Sequence, residues 1–192
     1  AIAVIRLSGE GCIALVERIY KSPAGKQLQE AAANTVHFGR IMEKGEIVDE
    51  VLVTIFHAPH SFTGEESVEI ACHGSVYIQQ RLLKLLIDTG ARLATPGEFT
   101  QRAFLNGKMD LSQAEAVADL IASSSAASHR MAINQMKGGF SAELMKLRAE
   151  LLRITSLLEL ELDFSEEDVE FADRSELLRL AGNIEALLER LC

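Results

Sequence analysis

Tryptophan is absent from this chain of 192 residues, and aromatic residues make up only 5% of it. A core built here is chiefly aliphatic, and 48% apolar content over this length is enough to bury one without staples. Cysteine is scarce and odd in number: Cys12, Cys72 and Cys192, with no pair at metal-ligand spacing. That argues against a metal cluster and fits free thiols in a reducing compartment. No unbroken apolar run reaches the roughly 18 residues of a membrane span. The opening residues, Ala1-Ile2-Ala3-Val4-Ile5-Arg6, read as a strand and not as a secretion signal. A cytoplasmic protein is expected.

Positive charge is also short. The net charge is −9, and it is unevenly spread. Residues 1–138 hold 13 basic and 15 acidic side chains, whereas residues 139–192 hold 6 basic and 13 acidic. A nucleic-acid footprint needs a basic face. If RNA is a partner, this segment is not expected to supply most of the phosphate contacts.

What is there falls into two styles of text. Residues 1–7 form an apolar run ending at Ser8-Gly9, a strand and a turn. Gly11 to Tyr20 carries Ile13, Val16 and Ile19 at helical spacing, and 21–33 reads as loop. Further strands are expected around 36–41, 51–56 and 68–72, with a short one at 91–94. A helix from about residue 74 ends at Gly90. From Thr95-Pro96-Gly97-Glu98 the text turns helical: Thr95 as N-cap, Pro in the first turn, Glu three residues on. Ser112 and Glu115 read as a capping box for a helix running to about Lys137, broken by Gly138-Gly139. A second long helix, 140–162, carries the stripe Leu144, Leu147, Leu151, Ile154, Leu158. An acidic loop, 163–173, precedes a third helix capped by Asp173 and Glu176, with the stripe Leu177, Leu180, Ile184, Leu187, Leu191. The expected architecture is an α/β (α+β) mixed-sheet domain at 1–110, then three long helices at 111–192. Because the first residue already lies in a strand and the last stripe is still in phase at 191, the chain is expected to be cut at both ends.

Four places hold polar residues that could carry chemistry: Arg6 at the end of the first strand, Ser61 to Glu66 in a loop, Glu69 with Cys72-His73 around the fourth strand, and Pro96 to Lys108. Arg6 closes an apolar strand, and the plain reading is an edge residue with its charge in water. Glu69 sits between Val68 and Ile70, so it is either on a solvent face or held by partners. Lys108 lies in the turn Asn106-Gly107-Lys108, where a solvated lysine is the plain reading. Cys72 and His73 are adjacent, which in a strand points them to opposite faces. A packed cysteine beside a hydrogen-bonded or exposed histidine is therefore expected, not a nucleophile pair. Ala24-Gly25-Lys26-Gln27 approximates a phosphate loop, but Tyr20 stands where Gly is needed and Gln27 where Ser or Thr is needed. Binding or hydrolysis of GTP by this chain is not expected. The helical stripes are core or partner surface, not a cofactor box.

Ser61-Phe62-Thr63-Gly64-Glu65-Glu66, Val68-Glu69-Ile70 and Cys72-His73-Gly74 resemble a signature of the MnmE (TrmE) family of tRNA-modifying GTPases. So do Pro96-Gly97-Glu98-Phe99-Thr100, Arg102 to Lys108 and Asp110 to Ala116. Asp163-Phe164 with Glu166-Glu167-Asp168 resembles the acidic turn of that family's helical domain. The resemblance spans essentially the whole chain. It implies an N-terminal domain similar to tetrahydrofolate-binding domains, which forms the homodimer and binds a 5-formyl-tetrahydrofolate-like one-carbon donor. It also implies a helical domain interrupted by a GTPase domain carrying GTP, magnesium and potassium sites. The full protein would act with MnmG on carbon 5 of the wobble uridine of tRNA. The family's folate contacts fall on Arg6, Glu69 and Lys108. Glu69 would accept the forked amino and N–H donors of a pterin, and the two cations would take the carboxylate tail or carbonyls. No metal ligand or catalytic residue is expected in this segment. The GTPase domain, the second half of the helical domain and the Cys-x-Gly-Lys motif are not in the sequence, and Cys192 does not match that cysteine. Ser75 stands where many relatives have a second Gly. Two rival readings are a dimerising scaffold that binds no folate and an autonomous folate-dependent transferase.

Overall fold

A computed structural model describes residues 1–163 and 174–191. They fall into two compact units, Ala1–Ala114 and Glu115–Cys192. The acidic segment 164–173, the capping residue Asp173 and Cys192 lie outside the described residues.

The first unit is a sheet with helices. Its elements are β1 (Ile2–Ser8), α1 (Cys12–Glu17), β2 (Tyr20–Lys21), β3 (Thr35–Glu43), β4 (Glu46–Phe56), β5 (Ser67–His73), α2 (Val76–Thr89) and α3 (Glu98–Leu105). The strand order is β1-β5-β4-β3-β2, and all four pairings are antiparallel, the α+β form of the expected sheet. Burial alternates along the strands. Ile5 and Leu7, Val51, Val53 and Ile55, and Val68, Ile70 and Cys72 are buried in one core with Val16, Leu82 and Leu86 from α1 and α2. The opposite face is open. Ile2, Val4, Val36, Phe38 and Leu52 are exposed there, and the register sets Val4, Ala71, Leu52 and Phe38 in one row across four strands.

Several local expectations are corrected. The first helix stops at Glu17, and Tyr20–Lys21 joins the sheet as β2 instead of extending it. The tyrosine is drawn there because its hydroxyl donates to the Phe38 carbonyl at 2.8 Å while its ring lies over Gly39. The strands β3 and β4 form a long hairpin whose turn, Lys44-Gly45, has positive φ at both residues (50° and 90°). Residues 91–94 form no strand, since Ala91 N–H still donates to Leu86 O in the helix end. Thr95 is not an N-cap; it makes a turn with Glu98, whose N–H donates to Thr95 O at 3.0 Å, and the helix is entered through Gly97 at φ 79°.

The second unit begins within α4 (Leu111–Ala122), which is followed by α5 (Ala126–Met136), α6 (Gly139–Asp163) and α7 (Arg174–Leu191). The capping box of α4 sits two residues before the expected one: Gln113 N–H donates to Asp110 Oδ1 at 2.8 Å, and Asp110 N–H donates to Gln113 Oε1 at 2.9 Å. The single helix expected to run to Lys137 is two, because Ser123-Ser124-Ser125 interrupts it. Ser123 donates back to Leu120 O, and Ser125 caps α5 through Ser128. In α6 the stripe is only partly covered: Leu144, Leu151 and Leu158 are exposed.

Replacing Gly39 by Ala would drive a methyl group into the Tyr20 ring. Overpacking of this kind costs about 2 kcal/mol or more. Urea denaturation should show Gly39→Ala losing that much stability, with β2 detached.

Candidate functional site

The antiparallel register sets Arg6 of β1 opposite Glu69 of β5, both on the open face. The Arg6 guanidinium donates through Nε to Glu69 Oε1 at 2.8 Å, and Nη2 reaches the same oxygen. Two rings flank this charge. The Arg6 guanidinium carbon is 5.6 Å from the centroid of Phe62, in the loop before β5, and 5.8 Å from that of Phe99, on α3. Such distances are those of cation–π contacts. Lys108 lies past the end of α3. Its Nζ donates to Pro59 O at 3.0 Å, and its stem packs over Gly64, where φ is +81° and a side chain would meet Lys108 Cγ and Cδ at 3.2 Å.

Of the three residues singled out, the structure therefore brings two into contact. The third lies against the 59–66 loop, the loop that also presents Phe62 to Arg6. Arg6 and Glu69 are neither solvated singly nor buried; they hold one another on a half-open surface.

A polar network fixes the parts around them. Ser8 and Thr63 share a hydrogen bond of 2.6 Å, with Thr63 fully buried. Asn106 Nδ2 donates to Thr63 O at 2.8 Å. Arg102 Nη1 donates to Glu65 Oε2 at 2.9 Å, and its Nε donates to Glu98 Oε1 at 3.1 Å. Arg92 Nη1 donates to Glu98 Oε2 at 2.9 Å, and Thr95 N–H donates to the same oxygen. With the Arg92 guanidinium on it, then the Thr95 N–H and Arg102, the nearly buried Glu98 carboxyl is held down at about 2. Phe62, Phe99, Glu65, Glu98 and Arg102 lie in the stretches 61–66 and 96–108 that the sequence marks as places for chemistry, but the sequence alone gives none of the five a chemical role of its own.

Cys12 and Cys72 are buried and poor nucleophiles. Burial, then the charge of Glu66, pushes the Cys12 thiol up to about 12, and burial also raises Cys72. His73 is exposed, and its Nδ1 lies 2.7 Å from Oδ1 of buried Asp49, as a hydrogen-bonded histidine should. Among the described residues no group of His, Cys, Asp or Glu is placed to hold a metal. No helix among them is long and apolar enough to cross a membrane.

A family profile described as the N-terminus of the GTP-binding protein TrmE matches residues 1–108, and one described as the MnmE helical domain matches 111–192. The chain belongs to the TrmE (MnmE) family. Its relatives agree. It is 63% identical over 192 residues to the tRNA modification GTPase MnmE of Bacteroides thetaiotaomicron, covering all of this chain and 41% of that protein. The corresponding proteins of Flavobacterium johnsoniae and Porphyromonas gingivalis are 56% and 59% identical, with coverage of 100% and 99% of this chain and 41% and 40% of theirs. The chain thus spans about two fifths of the length of the curated relatives it matches. The TrmE N-terminal match takes in every residue of the site, from Arg6 to Lys108.

The lowered Glu98 sets a pH window. A carboxyl held at about 2 against an ordinary 4.5 contributes stability that is present above 4.5 and is lost as the pH falls toward 2. Acid unfolding followed by far-UV circular dichroism should show the wild type losing stability through that window. Glu98→Gln should start less stable at neutral pH and show a shallower dependence.

Proposed function

We propose that this chain binds a reduced folate of the 5-formyl-tetrahydrofolate type through Arg6, Glu69 and Lys108. It would do so as the donor-binding and dimer-forming part of a cytoplasmic tRNA modification GTPase. The observation that carries the reading is the Arg6–Glu69 pair, on an open sheet face, flanked by two aromatic rings in a chain of this family. A pterin offers an amino group and a ring N–H side by side, and a carboxylate accepts both as parallel bonds. Glu69 is the carboxylate at hand. Folate ends in an anionic tail, for which Arg6 and Lys108 are the cations at hand; the ammonium has three donors, of which Pro59 O takes one.

Pairing with a second copy is supported by the exposed apolar residues of the open face, Val4, Val36, Phe38 and Leu52. The relatives are named tRNA modification GTPases, and the proposal extends that role, with MnmG as partner and the wobble uridine of tRNA as target. The acidity of the chain argues against a phosphate-gripping role for this segment. GTP hydrolysis would belong to a domain this sequence does not include, since it carries no phosphate loop. The transferase reading finds no support in the buried, raised thiols.

Isothermal titration of the purified chain with 5-formyl-tetrahydrofolate is the test. Saturable binding is expected, and Glu69→Ala should weaken it by about 10- to 100-fold, the loss of a charged hydrogen-bond acceptor. A folded chain that takes up no ligand would leave the scaffold reading instead.

A further inference from the structure

The Arg6 guanidinium sits where a flat, forked donor would sit. It is planar, it aims two N–H groups at the Glu69 carboxylate, and it lies over the faces of Phe62 and Phe99. The 2-amino-4-oxopyrimidine edge of a pterin has the same three properties: planarity, an N–C–N donor fork and a face that stacks on aromatic rings. We propose that Phe62, Phe99 and Glu69 form the ring slot of this site, and that Arg6 fills the slot as a displaceable plug when no ligand is bound. This rests on the reading that the face takes a reduced folate, and it adds the aromatic walls and the exchange.

Three observations make the plug displaceable. First, Arg6 is 43% exposed, and exposed ion pairs contribute little to stability. Second, both of its donors fall on Oε1 alone, whereas a pterin edge can use the two carboxylate oxygens in parallel and so bonds Glu69 better. Third, the ring-centroid distances of 5.6 and 5.8 Å are longer than close stacking allows, so the slot is not tightly filled by the guanidinium. The walls, by contrast, are fixed. Phe62 stands on a loop held by Thr63, Glu65 and Asn106, and Phe99 stands beside Glu98 on α3; Arg102 bonds both Glu65 and Glu98. Ligand entry then needs one side chain to swing, after which the released guanidinium, still tethered on β1, is available to the anionic tail.

Plug and tail-binder are opposite effects, and they separate with the ligand used. Unsubstituted pterin has the ring and no tail; its fluorescence can be titrated against a chain without tryptophan. Arg6→Ala should bind pterin about threefold more tightly than the wild type, or better, because nothing has to be displaced. The same variant should bind 5-formyl-tetrahydrofolate about tenfold more weakly, because the tail loses its cation. Phe62→Leu and Phe99→Leu, made in the Arg6→Ala background, should each weaken pterin binding about three- to tenfold. Thermal melts by circular dichroism establish that each variant is folded. The proposal is overturned if Arg6→Ala binds pterin no better than the wild type, or if folded Phe variants leave pterin affinity unchanged. The two readings fail separately. Pterin binding by Arg6→Ala with no uptake of 5-formyl-tetrahydrofolate by the wild type would keep the slot and remove the folate donor. Uptake of the folate with no effect of the substitutions on pterin would do the reverse.

Discussion

Arg102 is the joint on which the first unit's open site depends. One guanidinium reaches Glu65 in the loop before β5 and Glu98 at the start of α3, and Ser8 O at the end of β1 lies 3.5 Å away. These three pieces are far apart in the chain, and each supplies a part of the site: Arg6 from the strand, Phe62 from the loop, Phe99 from the helix. A planar five-donor group can serve two carboxylates at once, which a lysine ammonium does less well. The cost of partly burying Glu98 is offset by its second cation, Arg92, and by the Thr95 N–H. Without Arg102 the loop would keep its Ser8–Thr63 bond and, through Asn106 at the end of α3, a bond to the helix, but the tie from Glu65 to the start of α3 beside Phe99 would be lost.

Register is the second constraint. Arg6 and Glu69 meet because β1 and β5 pair with Ile5 opposite Ile70 and Leu7 opposite Val68 in the core. A slip of one residue would carry the arginine into that core, at a cost far beyond what a surface ion pair returns. The site is therefore specified by apolar residues that never touch it. The polar pair follows the hydrophobic pairing and does not create it.

How much of this was legible follows from the same physics. The sheet strands were readable where one face is buried, as in Val51, Val53, Ile55 and Val68, Ile70, because alternation leaves a mark in the sequence. Tyr20–Lys21 was not, since a two-residue strand has no period and its place is set by a contact with Gly39, nineteen positions on. The break at Ser123-Ser124-Ser125 carried a local signal that the helical pattern on either side masked. At the site, Arg6, Glu69 and Lys108 came from resemblance, because a strand-end arginine and a turn lysine look solvated in isolation. The aromatic walls stayed hidden for another reason. Phe62 and Phe99 are ordinary apolar residues until the fold sets both against one guanidinium, and no spacing rule links residues in a loop and a helix.

The two units differ in how completely they close. In the first, Val16, Ile41, Val53, Ile55, Val68, Ile70 and Leu82 are wholly removed from water. In the second, Leu144, Leu151 and Leu158 on α6 and Leu178 on α7 face outward, with Leu180 the buried leucine on the α7 stripe among the described residues. An aliphatic stripe left in water contributes little to holding its helices together, since the driving force scales with the apolar area removed. Every group of the candidate site, from Arg6 to Lys108, is drawn from the unit that closes. The geometry of the slot therefore rests on the buried core on the other side of its sheet, which lies within the first 114 residues, whatever covers the helical stripes.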